Sequence, residues 1–70
     1  LLARAVETIL GLESVSLSRI QRELGITYYS AARVFVRLEK EGFIAPYSGS
    51  LARAVSVTRE QWEERRRRSS

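Results

Sequence analysis

The chain has 70 residues, 44% hydrophobic and 29% charged, with a formal net charge of +4 and neither cysteine nor histidine. This length and composition predict one small globular domain and exclude disulfide scaffolds, zinc fingers and Cys/His catalysis. The acidic residues are scattered glutamates, and the chain has neither a Gly-rich phosphate loop nor an apolar run able to cross a bilayer. We therefore expect a domain that is not an enzyme, needs no cofactor or metal and makes no membrane contact.

The first third of the chain predicts two helices. Apolar residues recur at helical spacing over residues 2–10, and Gly11 marks the end of this first helix. Ser16 is a natural N-cap for a second helix, and Gly25 can adopt the positive φ that ends it. Ile26 is expected to be buried in the turn that follows.

A third helix is predicted from about Tyr28 to Glu41, with Thr27 as its cap. Its core-facing stripe is apolar and comprises Tyr28, Ala31, Ala32, Phe35 and Leu38. Its opposite stripe is mostly cationic and comprises Tyr29, Arg33, Val36, Arg37 and Lys40. We expect the first stripe to pack against the other helices and the second to face outward.

After the third helix the apolar period changes to that of β-structure. Residues 43–46 predict a short strand, 47–50 a turn and 53–57 a second strand. Together with the three helices, this hairpin predicts a fold that is mainly α with a small β hairpin, a winged helix-turn-helix.

A last helix is predicted from Thr58, whose spacing to Gln61 fits a capping box. Trp62 is expected to hold this helix to the core. We expect the winged-helix domain to span residues 1–64 and residues 65–70 to form a disordered basic tail.

Basic residues are unevenly distributed. Four arginines form the run Arg65–Arg68, and outside it eight basic residues balance eight acidic ones. Between Ser14 and Val57, however, six basic residues stand against three glutamates. Positive charge is therefore in excess where the helix-turn-helix and the wing are predicted, which favours a polyanionic partner.

This arrangement indicates binding to double-stranded DNA. The third helix, about 28–41, would lie in the major groove, which admits one helix, and the wing, 45–56, would lie on the backbone. Base readout is expected from Tyr29, Ser30, Arg33 and Arg37. Phosphate contacts are expected from Ser16, Arg19, Arg22, Ser48, Ser50 and Arg53. Thr27 is a further candidate DNA-binding residue.

The alternative is a winged-helix module that binds a protein and has little affinity for DNA, because this fold serves both purposes. The arginines of the third helix would then be solvated charges, and Arg22 would only cap the second helix. Tyr29 and Val36 would contact the partner. Tyr28 is expected in the core under either interpretation.

Four short motifs follow one another between residues 16 and 55. They read SLSRIQREL at 16–24, ITYYSAAR at 26–33, GFI at 42–44 and GSLARAV at 49–55. In this order they resemble the gamma domain of the FtsK/SpoIIIE family of DNA translocases, and the Gln-Arg and Ala-Ala-Arg elements are the most specific part of the resemblance.

The resemblance implies a domain that reads short, asymmetric, G-rich DNA motifs and so orients a hexameric, ATP-driven DNA pump. It implies a contact with a site-specific recombinase as a further partner. It also implies a domain that is monomeric in isolation, several copies of which bind along DNA within the hexameric parent. The expected location is cytoplasmic, with the parent anchored at the inner membrane.

Three sites depart from the family pattern. Tyr29 and Ser30 stand where the family has Asn-Arg, Val36 replaces an acidic residue, and Leu51 replaces the lysine of the wing, whereas Arg33 is kept. Arg53 is kept too. We therefore expect a different or relaxed DNA target, as in the translocase of a plasmid, conjugative element or phage.

Overall fold

The computed structural model describes residues 1–69 and has the mainly α, winged helix-turn-helix architecture that the sequence predicts. Its elements follow in the order α1 (Leu2–Ile9), β1 (Ser14–Ser16), α2 (Leu17–Leu24), α3 (Tyr28–Lys40), β2 (Ala52–Ala54) and α4 (Arg59–Ser69). None of these helices is long and apolar enough to cross a membrane.

Helices α1, α2 and α3 bury their apolar stripes against one another. The side chains that they place in the core are Ala5, Val6, Ile9, Ile20, Leu24, Ala31, Val34, Phe35 and Leu38. Phe43, Ile44, Val57 and Trp62 close this core from the wing and from α4. Because buried residues recur every three or four positions along α3, its rotation about its own axis is fixed by packing.

Side-chain caps and a tight turn define the helix-turn-helix. The Ser16 hydroxyl accepts a hydrogen bond from the Arg19 amide at 3.2 Å, and the Thr27 hydroxyl accepts one from the Ser30 amide at 3.2 Å. Gly25 ends α2 with φ 63°, a left-handed conformation that costs a residue with a Cβ more than it costs glycine. Both predicted caps and the predicted glycine turn are confirmed. Ile26 is half-buried and packs against the core.

The strands pair differently from the predicted hairpin. β1, which the sequence analysis did not predict, pairs antiparallel with β2 so that Val15 lies opposite Arg53. The predicted strand 43–46 is reduced to a bridge between Ile44 and Val55 and a 2.9 Å bond from the Ala45 amide to the Ala54 carbonyl. Pro46 follows at once, and it has no amide hydrogen to continue the ladder.

The last helix is attached as predicted at its start. The Gln61 amide donates to the Thr58 hydroxyl at 3.1 Å and the Thr58 amide donates to the Gln61 side chain at 3.0 Å, which confirms the capping box. Trp62 packs edge-on against Phe43 with 5.9 Å between ring centroids, and its indole N–H donates to Glu7 Oε2 at 2.7 Å. Trp62 therefore joins α4 to both α1 and the core.

The basic run was expected to be disordered, but α4 continues through it. Arg65 pairs with Glu41 at 2.5 Å, Arg66 with Glu7 at 3.6 Å and Arg67 with Glu64 at 2.6 Å. These ion pairs compensate the repulsion between successive arginines, and arginine is itself a good helix former. Residue 70 lies outside the described residues.

Replacing Trp62 by alanine should cost about 3–5 kcal/mol of unfolding free energy, because both the aromatic packing and the hydrogen bond to Glu7 are lost. Urea unfolding followed by circular dichroism measures this, since the variant lacks the single tryptophan of the chain. Leu51→Ala is the control: that side chain is 85% exposed and should change stability by less than about 0.5 kcal/mol. Equal losses in the two variants would contradict the role given to Trp62.

Candidate nucleic-acid interface

The face of α3 opposite the core carries a stripe of exposed side chains. Tyr29, Arg33, Val36 and Lys40 follow at i, i+4, i+7 and i+11 and all point away from the buried residues. Tyr29 is 70% exposed and Val36 is 67% exposed. We call these four residues the outer stripe. The expectation that these side chains face outward is confirmed.

Arg33 lies at the centre of the outer stripe. Its Cζ is 5.8 Å from the centroid of the Tyr29 ring, a distance at which a cation and an aromatic face attract each other. No carboxylate within residues 1–69 pairs with this guanidinium. Arg33 therefore offers a planar set of donors to an external acceptor while its neighbour restricts its orientation.

Arg37, one turn further along α3, is held by a carboxylate. Its Nε donates to Glu41 Oε2 at 2.9 Å, and the other oxygen of Glu41 contacts Arg65. The hydrogen bonds from Arg37 and then from Arg65 lower the pKa of Glu41 from its ordinary value of 4.5. Part of the charge of Arg37 is thus neutralised within the protein, although about half of its side chain remains exposed.

Ser30 and Thr27 lie where the first turn of α3 begins. The Thr27 hydroxyl donates to the Ser30 hydroxyl at 3.2 Å while it accepts from the Ser30 amide. Thr27 is exposed and Ser30 is half-buried. Both side chains serve the helix cap, and the exposed Thr27 also borders the outer stripe.

The start of α2 carries the hydroxyls of Ser16 and Ser18 and the side chain of Arg19, while Arg22 lies in its last turn. The hydroxyls of Ser16 and Ser18 are 3.2 Å apart. Arg19 makes a long ion pair of 3.8 Å with Glu23. Arg22 is exposed and donates no hydrogen bond to the last carbonyls of α2 or to any other described residue, so the structure gives no sign that it caps this helix.

The tip of the wing is neutral. Ser48 and Ser50 are exposed, and the Ser50 hydroxyl accepts a 3.3 Å hydrogen bond from the Ala52 amide. Gly49, between them, has φ 98°, a value that a side chain would make costly. The wing tip therefore offers hydroxyls and backbone amides but no cation.

Arg53, at the base of the wing, turns its guanidinium toward the protein. Its NH1 donates to Glu39 Oε1 at 2.8 Å and to the Ala45 carbonyl at 3.1 Å. Its Cζ lies 5.2 Å from the Phe35 ring centroid and 5.7 Å from that of Tyr47. The expected phosphate contact of Arg53 stays a prediction, but in the structure its charge already has a partner.

An open groove of about 500 Å³ runs between the start of α2, α3 and the wing. Tyr28, expected in the core, lines this groove instead and is 67% exposed. Tyr28 is the first residue of α3, and the buried residues of this helix are Ala31, Val34, Phe35 and Leu38. Tyr47 and Leu51 of the wing line the opposite wall.

The described residues bring cations, hydroxyls and aromatic rings to one surface. Within residues 1–69 no three His, Cys, Asp or Glu side chains are close enough to hold a metal ion. Such a surface can bind a polyanion and can donate hydrogen bonds to acceptor groups of that polyanion. Sequence analysis did not identify Tyr28, whose helical spacing is that of a core residue.

Comparison with known proteins identifies related domains. A family model described as the Ftsk gamma domain matches residues 1–58. Over 60 residues the chain is 40% identical to "DNA translocase SpoIIIE" of Bacillus subtilis. This match covers 86% of the chain and 8% of that protein. Over 61 residues the chain is 41% identical to "DNA translocase FtsK" of Caldanaerobacter subterraneus. This match covers 87% of the chain and 9% of that protein. A search of the solved structures found no significant match.

The chain therefore spans less than a tenth of the length of the curated relatives it matches. Its similarity to both relatives extends over most of its own residues and includes the helix-turn-helix and the wing.

The ion pairs of Glu41 predict a specific acid dependence of stability. The pKa of Glu41 is lower in the folded protein than its ordinary value of 4.5, so the stabilisation is complete above that value and is lost as the pH falls through the lowered pKa. Glu41→Gln should therefore lower Tm at neutral pH, and the difference from wild type should shrink as the pH falls below 4.5 through the lowered pKa. Thermal unfolding measured across this range tests the prediction.

Glu13→Gln is the matched control, because Glu13 is exposed in a loop and its side chain makes no ion pair with the described residues. This variant should keep the acid dependence of the wild type. Equal Tm values for Glu41→Gln and wild type at neutral pH would show that the pairs with Arg37 and Arg65 do not stabilise the fold.

Proposed function

The chain belongs to the FtsK gamma domain family, a DNA-binding domain family of DNA translocases, and from this premise we propose that it binds double-stranded DNA in a sequence-directed way. The observation that carries the proposal is the outer stripe. It presents the guanidinium of Arg33, which has no carboxylate partner among the described residues, between exposed Tyr29 and Val36. A helix with such a face fits the major groove, which is about 12 Å wide.

In the proposed complex α3 lies in the major groove and reads base edges. Arg33 is the best placed reader, since its planar donors match O6 and N7 of guanine and its position is restrained by Tyr29. Tyr29 and Ser30 lie in the first turn of α3, the part of a recognition helix that approaches the bases. Arg37 contributes once it exchanges part of its contact with Glu41 for DNA.

The flanking elements supply the phosphate contacts of the proposal. Hydroxyls and amides at the start of α2, with Ser16 at its cap, suit a phosphate at a helix N-terminus. Arg22 is exposed and has no carboxylate partner among the described residues, whereas Arg19 shares its charge with Glu23. Further phosphate contacts are assigned to Thr27, Ser48 and Ser50.

We propose that this domain binds DNA as one part of a longer protein. Relatives of the chain are named DNA translocases, and a domain that recognises short asymmetric motifs can orient such a motor on DNA. On this proposal the domain has no catalysis of its own, several copies bind along DNA within a hexameric, ATP-driven parent, and the parent is anchored at the inner membrane with this domain in the cytoplasm. A site-specific recombinase is a further partner of the proposal.

A second candidate function is protein binding. It is favoured by the exposed Tyr29 and Val36, whose apolar surface would be covered by a protein partner as well as by thymine methyl groups. This candidate predicts no duplex binding at moderate salt, whereas DNA binding predicts an affinity that falls steeply and linearly on a logarithmic salt scale. Salt titration against pooled random duplexes separates the two functions.

Replacing Arg33 by alanine should weaken binding to a selected duplex by about 1–3 kcal/mol, because a bidentate base contact is lost. The duplex is obtained by selection from a random pool with the wild-type chain, and both proteins are then titrated against the selected duplex and against the pool. Binding to the pool should weaken much less than binding to the selected duplex.

Arg22→Ala is the matched control for loss of one exposed arginine. It should weaken binding to both DNAs alike and reduce the salt slope by about 0.9. If Arg33→Ala behaves in the same way as Arg22→Ala, Arg33 contacts a phosphate and does not read bases.

A further inference from the structure

We infer that Arg53 is a positioning residue that fixes the wing against α3, so that helix and wing reach DNA as one rigid unit. This inference rests on the proposed function, and it assigns Arg53 a role other than direct contact with phosphate. Four contacts of one guanidinium group carry it.

Burial is the first observation. The side chain of Arg53 is only 16% exposed, while those of Arg37 and Arg19 are 54% and 43% exposed. A phosphate can reach a guanidinium group only from the solvent side, and little of Arg53 faces solvent. An arginine at this depth contributes mainly through its partners in the protein.

The second observation is the direction of the hydrogen bonds. The same nitrogen, NH1, donates to Glu39 of α3 at 2.8 Å and to the carbonyl of Ala45 in the first arm of the wing at 3.1 Å. The backbone of Arg53 itself belongs to β2 and lies opposite Val15 of β1. One residue thereby connects α3, both arms of the wing and β1.

Two aromatic rings also contact the guanidinium group of Arg53. The guanidinium lies 5.2 Å from the centroid of Phe35, whose ring is buried in the core, and 5.7 Å from that of Tyr47, which begins the wing tip. Cation–π attraction on both rings favours one orientation of the planar group. A lysine would keep the charge but could not reproduce this planar contact.

Backbone hydrogen bonds hold the base of the wing. Its two arms share the bridge between Ile44 and Val55, the bond from the Ala45 amide to Ala54 and bonds from the Ser56 and Val57 amides to the Phe43 carbonyl, and β2 also pairs with β1. Within residues 1–69 the pair of Arg53 and Glu39 is the one side-chain hydrogen bond that joins β2 to α3. The backbone bonds join the strands to one another, whereas Arg53 joins the wing to α3, so the orientation of the wing relative to α3 depends on Arg53.

The consequence for DNA binding is preorganisation. A helix in the major groove and a wing on the backbone contact the duplex together only if the distance between them is already set. When the wing is loose, ordering it on binding costs conformational entropy and weakens the complex without changing the number of phosphates contacted. A phosphate contact, in contrast, lowers the salt slope by about 0.9 when it is removed.

Arg53→Lys is the decisive variant because it preserves the charge and removes the planar contacts. We expect duplex binding about tenfold weaker than that of wild type, with the salt slope unchanged. We also expect the amide hydrogen of Ala45 to exchange with solvent about tenfold faster. Its hydrogen bond to the Ala54 carbonyl joins the two arms of the wing, which this substitution loosens. The matched control Arg4→Lys, at an exposed arginine of α1 to which no DNA contact is assigned, should alter neither quantity by more than about twofold.

Arg53→Ala and Arg22→Ala complete the experiment. Both remove one positive charge, but only Arg22→Ala should lower the salt slope by about 0.9. Wild-type affinity and exchange in Arg53→Lys, together with a lowered slope in Arg53→Ala, would overturn the inference. If no variant and not even the wild type binds duplex, the proposed function fails, whereas the exchange of the Ala45 amide still decides whether Arg53 holds the wing.

Discussion

The burial of one side of α3 is the constraint on which the rest of the structure depends. Ala31, Val34, Phe35 and Leu38 lie against α1 and α2, and because side chains repeat every 3.6 residues this packing fixes every other direction on the helix. Turning α3 by one residue would rotate Arg33 about 100° away from its outward position and bring a charge toward the core. The direction of the outer stripe, and with it the proposed reading of DNA, is thus set by apolar contacts that never meet DNA.

The arginines of this domain are not equivalent, although each carries the same charge. Arg33 and Arg22 have no carboxylate partner among the described residues, while Glu41 binds Arg37 and Glu39 binds Arg53. A paired arginine must give up a protein contact before it can serve a ligand, so its contribution to binding is smaller than its formal charge implies. The same glutamates stabilise the helix ends and orient the wing, which ties the electrostatics of the surface to the fold.

Membership of the family and departure from its pattern concern different parts of the molecule. The match to the family model covers residues 1–58, which include the caps, the turn and most of the core, and the identity to one relative is 40% over 60 residues. Tyr29, Val36 and Leu51, which depart from the pattern, are all exposed on α3 or on the wing. Side chains there can change without disturbing the packing, so a family can retain one scaffold while the surface that meets its target changes.

The sequence by itself determined the helices and their boundaries to within a few residues, the caps at Ser16, Thr27 and Thr58, and the outward side of α3. These features depend on residues within one or two turns of one another, and such local preferences can be read from spacing. Only the tertiary structure decided that β1 pairs with β2, that Tyr28 leaves the core, that the basic run continues α4 and that Arg53 turns inward. The pairing of β1 with β2 and that of Arg53 with Glu39 join segments that are distant in the chain and meet only after folding, so no local pattern records them.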